Sequence, residues 1–276
     1  LPTPGPRAVW RLPQQSKNSV LTSGLLPVVI SIGTHQFDVD AVIVDLDGTM
    51  VDTLGDFVVA LNSMLGDLPP PYRSHRIDRA TVARLVGKGS ENLIKSVLAL
   101  VDTASVAINF GADVLLLDEP HAHEPERLFS QAWLSYQRHY LAVNGQHAEV
   151  YPGVVAGLQL LQARGFKLAC LTNKPTAFAV ALLKAKGLDG FFEQTFGGDA
   201  FARKKPDPLP LLKTCEALGC APHRTLMIGD SSNDASAARA AGCPVLLVTY
   251  GYNHGEPIRA VDADGFTDSL QSLTPS

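Results

Sequence analysis

Asp45 and Asp47 stand at the end of a short apolar run, Ala41 to Val44, and Gly48 and Thr49 follow them. Side chains alternate along an extended chain, so the two carboxylates face the same way wherever strand geometry persists. This close together they repel, and they call for a divalent cation, a lysine or a retained proton beside them. Taken alone, the segment also reads as a strand end followed by a plain turn. Three later stretches bear on the choice. Phe166 to Leu171 runs into Thr172-Asn173-Lys174-Pro175. Thr225 to Ile228 runs into Gly229-Asp230-Ser231-Ser232-Asn233-Asp234. Between them lies the basic, proline-bounded loop Arg203-Lys204-Lys205-Pro206-Asp207-Pro208. Clustered aspartates with other oxygen donors suit Mg²⁺. A lysine and a threonine hydroxyl beside free backbone N–H groups suit phosphate oxygens. Singly, Lys205 reads as part of a solvated loop, and Thr172-Asn173 and Asp234 as helix caps. Together, at consecutive strand ends, they describe one site for phosphate chemistry.

Such a site needs an element that brings these strand ends to one edge. From Tyr151 onward helices and strands alternate. The spacing predicts helices over Val154 to Arg164, Ala177 to Lys186, Leu209 to Leu218 and Ala235 to Ala241. Strands are expected at Phe166 to Leu171, Phe191 to Phe196, Thr225 to Ile228, Pro244 to Val248 and Gly265 to Thr267. Alternation of this kind gives right-handed βαβ units, a parallel sheet, and ligands at the carboxyl ends of the strands. Residues from Asp52 to about Gly145 show only helical spacing, with separate helices expected at Glu91 to Leu100, Thr103 to Phe110 and Pro125 to Val143. The fold class is therefore α/β: a Rossmann-like parallel sheet with a helical insertion after the first strand. The expected division is an extension over 1–38, a core formed by 39–52 and 146–276, and an insertion over 53–145. The extension holds four prolines before residue 14 and an apolar patch, Leu25 to Ile32, and is expected to be poorly ordered apart from a closing edge strand.

Bulk properties exclude several classes. The 276 residues are 46% hydrophobic and 18% charged, ordinary for a globular chain. A net charge of −4 and the lack of a basic stripe give no case for nucleic-acid binding. No run of 18 apolar residues argues for a membrane span. Four dispersed cysteines without a C-x-x-C read as reduced thiols, consistent with a cytoplasmic protein. Val114 to Pro120 looks like the acidic strand of an ATPase, but the phosphate loop that such a site requires is missing. His121 and His123 read as solvated.

The motifs around Asp45, Thr172, Lys205 and Asp230, in that order, resemble those of the haloacid dehalogenase (HAD) superfamily of phosphatases, over about Asp40 to Leu273. The insertion resembles that family's C1-type cap. Within the superfamily, Val86 to Gly89, Tyr151 to Gly153, Thr172 to Pro175, Lys205 to Pro208 and Thr249 to Tyr252 are most similar to phosphoglycolate phosphatases. The resemblance implies Asp45 as nucleophile and Asp47 as general acid and base. It implies Thr172 and Lys205 as holders of the phosphoryl oxygens. Mg²⁺ would sit on Asp45, the Asp47 backbone carbonyl and Asp230. Gly48, Thr49, Asn173 and Asp234 would support this set; Lys88 on the cap loop either meets the substrate carboxylate or is solvated, with Arg84 on the surface. Leu46 stands where the family often has an aromatic residue. The implied reaction is hydrolysis of a small phosphomonoester, first of all 2-phosphoglycolate, through an aspartyl-phosphate, by a monomer or homodimer. A sugar-phosphate phosphatase, a phosphosugar mutase and a non-catalytic binding protein on the same fold are the alternatives.

Overall fold

The computed structural model describes residues 29–32, 35–109 and 125–275. The segment 1–28, Val114 to Pro120, His121 and His123 lie outside them. Eleven strands and eight α-helices are described, in the order β1 (Val29–Ile32), β2 (His35–Asp38), β3 (Ala41–Val44), β4 (Val51–Asp52), α1 (Leu54–Asp67), α2 (Arg79–Leu85), α3 (Ser90–Asn109), α4 (Pro125–Val143), β5 (Glu149–Val150), α5 (Val154–Ala163), β6 (Lys167–Leu171), α6 (Thr176–Ala185), β7 (Gln194–Phe196), α7 (Leu209–Leu218), β8 (Thr225–Gly229), α8 (Ser232–Ala241), β9 (Val245–Val248), β10 (Gly265–Thr267) and β11 (Thr274–Pro275). No helix among the described residues is long and apolar enough to cross a membrane.

Six strands form a parallel sheet in the order β10-β9-β8-β3-β6-β7. The apolar run that ends in the two aspartates is the central strand, buried on both faces. Its residues alternate between two cores. Val42, Val44 and Leu46 pack with α5 and α6, and Ala41 and Ile43 pack with α7 and α8. Leu46 is thus a core residue with no exposed surface, and an apolar side chain suffices there. The sequence runs from β3 outward to β6 and β7, then returns to β8 on the other side. That reversal opens a crevice at the carboxyl end of β3.

Helices α1 to α4 build a third core of their own, in which Phe57, Leu61, Leu65, Ile94, Tyr136 and Tyr140 are buried. Two features of this segment differ from the expectation. Residues 90–109 form a single helix where two were expected, because nothing between Leu100 and Thr103 interrupts the backbone ladder. Short strands β4 and β5 pair antiparallel, Val51 with Val150 and Asp52 with Glu149, and so tie together the chain's exit to the helices and its return. Two residues on each side are too few to leave a period in the sequence.

Where the extension was expected to close in an edge strand, two strands, β1 and β2, are described. β1 and β2 pair with each other, and β11 from the far end of the chain pairs with β1. Ile30 and Phe37, opposite each other, are buried in the core that covers one face of the large sheet. A partner some 240 residues away cannot be seen from local pattern. The four cysteines carry free thiols, with Cys170, Cys215 and Cys243 buried.

Asp56, in the first turn of α1, has no exposed surface. Its carboxylate accepts the backbone N–H of Gly145 at 2.6 Å and of His147 at 2.7 Å, which staples the returning chain to the start of the helical segment. Asp56→Ala removes both acceptors and leaves two partly buried N–H groups unpaired, a cost on the order of 2 kcal/mol. The midpoint of denaturant unfolding is expected to fall accordingly, and Asp56→Asn, which keeps one acceptor, is expected to fall less.

Candidate active site

The strand ladder runs one residue past β3, since the Asp45 N–H still donates to the Ile228 carbonyl at 2.9 Å. The chain then folds back on itself: Gly48 N–H donates to Val51 O at 2.9 Å and Met50 N–H to Leu46 O at 3.0 Å. Gly48 permits this with φ +85°, and a Cβ at that position would lie 2.1 Å from an oxygen of Asp230. The tight turn is therefore also a close approach between the first and last motifs.

Lys205 is the hub of the site. It is buried, and its Nζ donates to Asp45 Oδ1 at 2.7 Å, Asp234 Oδ1 at 2.7 Å and the Leu171 carbonyl at 2.8 Å. An ammonium has three N–H donors, and all three are used. Although burial opposes its charge, the carboxylates of Asp234 and Asp45 outweigh that and push its pKa well above the lysine range. Asp234 has a second task. Its other oxygen accepts from Ser231 Oγ at 2.8 Å and from the Ser231 N–H at 3.2 Å, which caps α8. The cap expected for Asp234 alone and the expected hold on Lys205 are both present.

Asp45, Asp230 and Asp234 are buried and bring carboxylate oxygens within 4.8 Å of one another. Burial, together with Asp234 and Asp47, pushes Asp45 up to about 7 against the pull of Lys205. Burial and the repulsion of Asp234 and Asp45 likewise raise Asp230 well above the carboxylate range. One ammonium faces three carboxylates here, so a divalent cation fits the excess charge and the all-oxygen donor set. Asp230 has capacity to spare, since among the described residues its carboxylate accepts one hydrogen bond, from the Tyr252 N–H at 2.8 Å, whereas both oxygens of Asp234 are engaged.

Asp47 points elsewhere. Its Oδ1 accepts from Thr53 Oγ1 at 2.7 Å and from Lys174 Nζ at 2.7 Å. Thr49 Oγ1 approaches Asp45 Oδ2 at 3.5 Å. Thr172 lines the cavity, and its hydroxyl accepts the Lys174 N–H at 3.2 Å. Asn173 is bound to the backbone of two loops. It donates to the Gly87 carbonyl at 3.0 Å and to the Lys205 carbonyl at 2.8 Å, and accepts the Lys205 N–H at 3.0 Å, so it fixes two loops. Lys88 is exposed and does not line the cavity, although Gly87 and Gly89 on either side do. Arg84 is exposed as expected.

The cavity between the sheet edge and the helical segment has a volume of about 40 Å³. The cap loop closes it through Gly87, whose carbonyl also accepts from Asn233 at 3.3 Å. His254 braces this contact, hydrogen-bonding the Val86 backbone and lying 3.1 Å from Asn233. Burial and the charge of Lys88 hold its pKa below the usual histidine range. It reaches this place from a strained turn, with φ +34° at Asn253 and +55° at His254. Lys174, Thr53, Asn233, Tyr252 and His254 were not singled out by sequence reasoning. A lysine or histidine in a polar loop is solvated by default, and only tertiary contacts show otherwise.

A family model described as haloacid dehalogenase-like hydrolase matches residues 39–242. The chain belongs to this family. Phosphoglycolate phosphatase of Thiobacillus denitrificans is 42% identical over 232 residues, 84% of this chain and 92% of that protein. Its plasmid-encoded namesake in Cupriavidus necator is 41% identical over 84% of this chain and 90% of that one. Among solved structures, a predicted phosphoglycolate phosphatase from Haemophilus somnus superposes with a TM-score of 0.73 at 29% identity, covering 84% of this chain and 95% of that one. The chain is thus a phosphatase of the haloacid dehalogenase-like hydrolases.

Two outcomes follow. Gly48→Ala forces a Cβ into Asp230 at a backbone angle that alanine resists, and is expected to abolish activity while thermal unfolding shows a folded protein. Cation binding requires ionised carboxylates, and burial raises those of Asp45 and Asp230. Between their ordinary pKa and the raised ones, the ion-free folded state holds more protons than the unfolded state, so its stability falls as pH rises. A divalent cation is therefore expected to raise Tm more at pH 7.5 than at pH 5, as read by differential scanning calorimetry.

Proposed function

We propose that this haloacid dehalogenase-like phosphatase hydrolyses 2-phosphoglycolate to glycolate and phosphate, with Mg²⁺ as its metal. The observation that carries the mechanism is the pairing of two differently held carboxylates: Asp45 on Lys205 in the charged cluster, and Asp47 on Thr53 and Lys174 beside it. Residues 39–52 and 146–276 are taken as the catalytic core and 53–145 as the cap.

Asp45 attacks phosphorus along the line to the leaving alkoxide, forming an aspartyl-phosphate. Lys205 holds Asp45 and faces the charge that gathers on the phosphoryl oxygens, with the Thr172 hydroxyl on the same edge. Mg²⁺, on Asp45, Asp230 and the Asp47 carbonyl, would offset the repulsion between carboxylate and phosphate. Asp47 gives a proton to the leaving oxygen and then takes one from the water that attacks the aspartyl-phosphate. Asn173, Asn233 and His254 keep the cap loop over the site, which excludes bulk water during transfer. The naming of the relatives supports the substrate. A cytoplasmic location and a monomeric or homodimeric state fit this reading.

The test is phosphate release from 2-phosphoglycolate, a panel of sugar phosphates and p-nitrophenyl phosphate, for wild type and Asp45→Asn. The expected outcome is a preference for 2-phosphoglycolate, lost with chelator and reduced at least 1,000-fold in the variant. Preference for a sugar phosphate would overturn the substrate. Undiminished turnover in Asp45→Asn would overturn the mechanism.

A further inference from the structure

Two lysines reach the cavity, and their surroundings differ. Lys205 has three oxygen acceptors for its three N–H donors and is saturated. Lys174 is as deeply buried, yet Asp47 Oδ1 at 2.7 Å is its one side-chain acceptor among the described residues. The remainder of its ammonium is covered by aromatic faces. The Phe57 ring centroid lies 4.5 Å from Nζ and that of Tyr140 4.8 Å. An ammonium between two rings is stabilised electrostatically but keeps unused N–H donors. Phe57 and Lys174 both line the cavity, so those donors are next to the space that a substrate enters.

We infer that Lys174 is the specificity-determining residue of this phosphatase, receiving a carboxylate on the leaving group of the phosphomonoester. The inference rests on the functional reading above and names the group that would select that substrate class. Three points carry it. The ammonium is buried with donors to spare, and a buried charge gains most from a second, well-placed anion. It adjoins Asp47, which addresses the leaving oxygen, and in a 2-phospho carboxylate the carboxyl group is one carbon away from that oxygen. The rings that flank it come from α1 and α4 of the helical segment, while Lys174 itself belongs to the sheet edge, so the pocket for this second anion is complete only when the two parts are together. Lys88, the residue expected to meet the carboxylate, is exposed and outside the cavity lining.

The experiment compares 2-phosphoglycolate with 2-hydroxyethyl phosphate, which has a hydroxymethyl group in place of the carboxylate. Lys174→Met keeps the length and apolar packing of the side chain and removes its charge. The ratio of kcat/KM for 2-phosphoglycolate over 2-hydroxyethyl phosphate is expected to fall about 100-fold in Lys174→Met, and Lys174→Arg is expected to restore part of it. Binding is read separately by calorimetry in Asp45→Asn protein, where adding Lys174→Met is expected to raise the Kd of 2-phosphoglycolate by at least 10-fold. An equal fall for both compounds, or an unchanged ratio, would overturn the inference, because a residue acting only on Asp47 or on the fold does not distinguish the two. A wild type that takes both compounds equally well would overturn it too and leave the phosphatase intact. A wild type that releases phosphate from neither would overturn the functional reading itself.

Discussion

The site depends on one electrostatic constraint: buried carboxylates must be kept together without separating the strands that carry them. Asp45, Asp230 and Asp234 converge from two adjacent strand ends, and Lys205 is the compensating cation that the chain supplies. Two buried ion pairs on one ammonium are not by themselves a source of stability, since desolvation of each charge opposes the attraction. Their effect is to fix geometry. Lys205 reaches back to the Leu171 carbonyl as well, so the loop before α7 is tied to β6 and to both acidic motifs by a single side chain. The remaining negative charge is what makes the cluster receptive to a divalent cation.

Around that hub the scaffold is arranged so that loops, and not strands, carry the adjustable parts. β3 and β8 lie side by side in register, Val44 beside Ile228, and deliver Asp45 and Asp230 at the same level. Close backbone approaches lock the level: a Cβ at Gly251 would lie 2.2 Å from that of Asp230, and one at Gly229 would lie 2.3 Å from the Asp234 carboxyl carbon. The cap loop, by contrast, is held by side-chain amides to one carbonyl, that of Gly87. Hydrogen bonds of this kind are worth about 1 kcal/mol each, so this contact is weaker than the packing that sets the strands.

Lys174 joins the two halves of this design. Its charge is shared between Asp47 and the rings of Phe57 and Tyr140, so the sheet edge and the helical segment meet at one atom. Asp56 acts at the other end of the helical segment, where it fastens the two connecting strands of the chain.

Much of this was determined by sequence alone. An apolar run broken by two aspartates reads as a buried strand end, the later polar motifs turn that reading toward chemistry, and the alternation after Tyr151 requires a parallel sheet whose carboxyl ends coincide. Those two facts fix which of the polar motifs meet. The contacts of Asn173, Lys88 and Lys174 were decided only in three dimensions. Each lies in a short polar loop, where local sequence does not say which way a side chain turns. Contact with Gly87, with solvent, or with Asp47 and two aromatic rings depends on how helices from a different part of the chain fold back over the sheet. The pairing of β1 with β11 has the same origin: two weak edge segments become strands because the tertiary fold brings the ends of the described chain together.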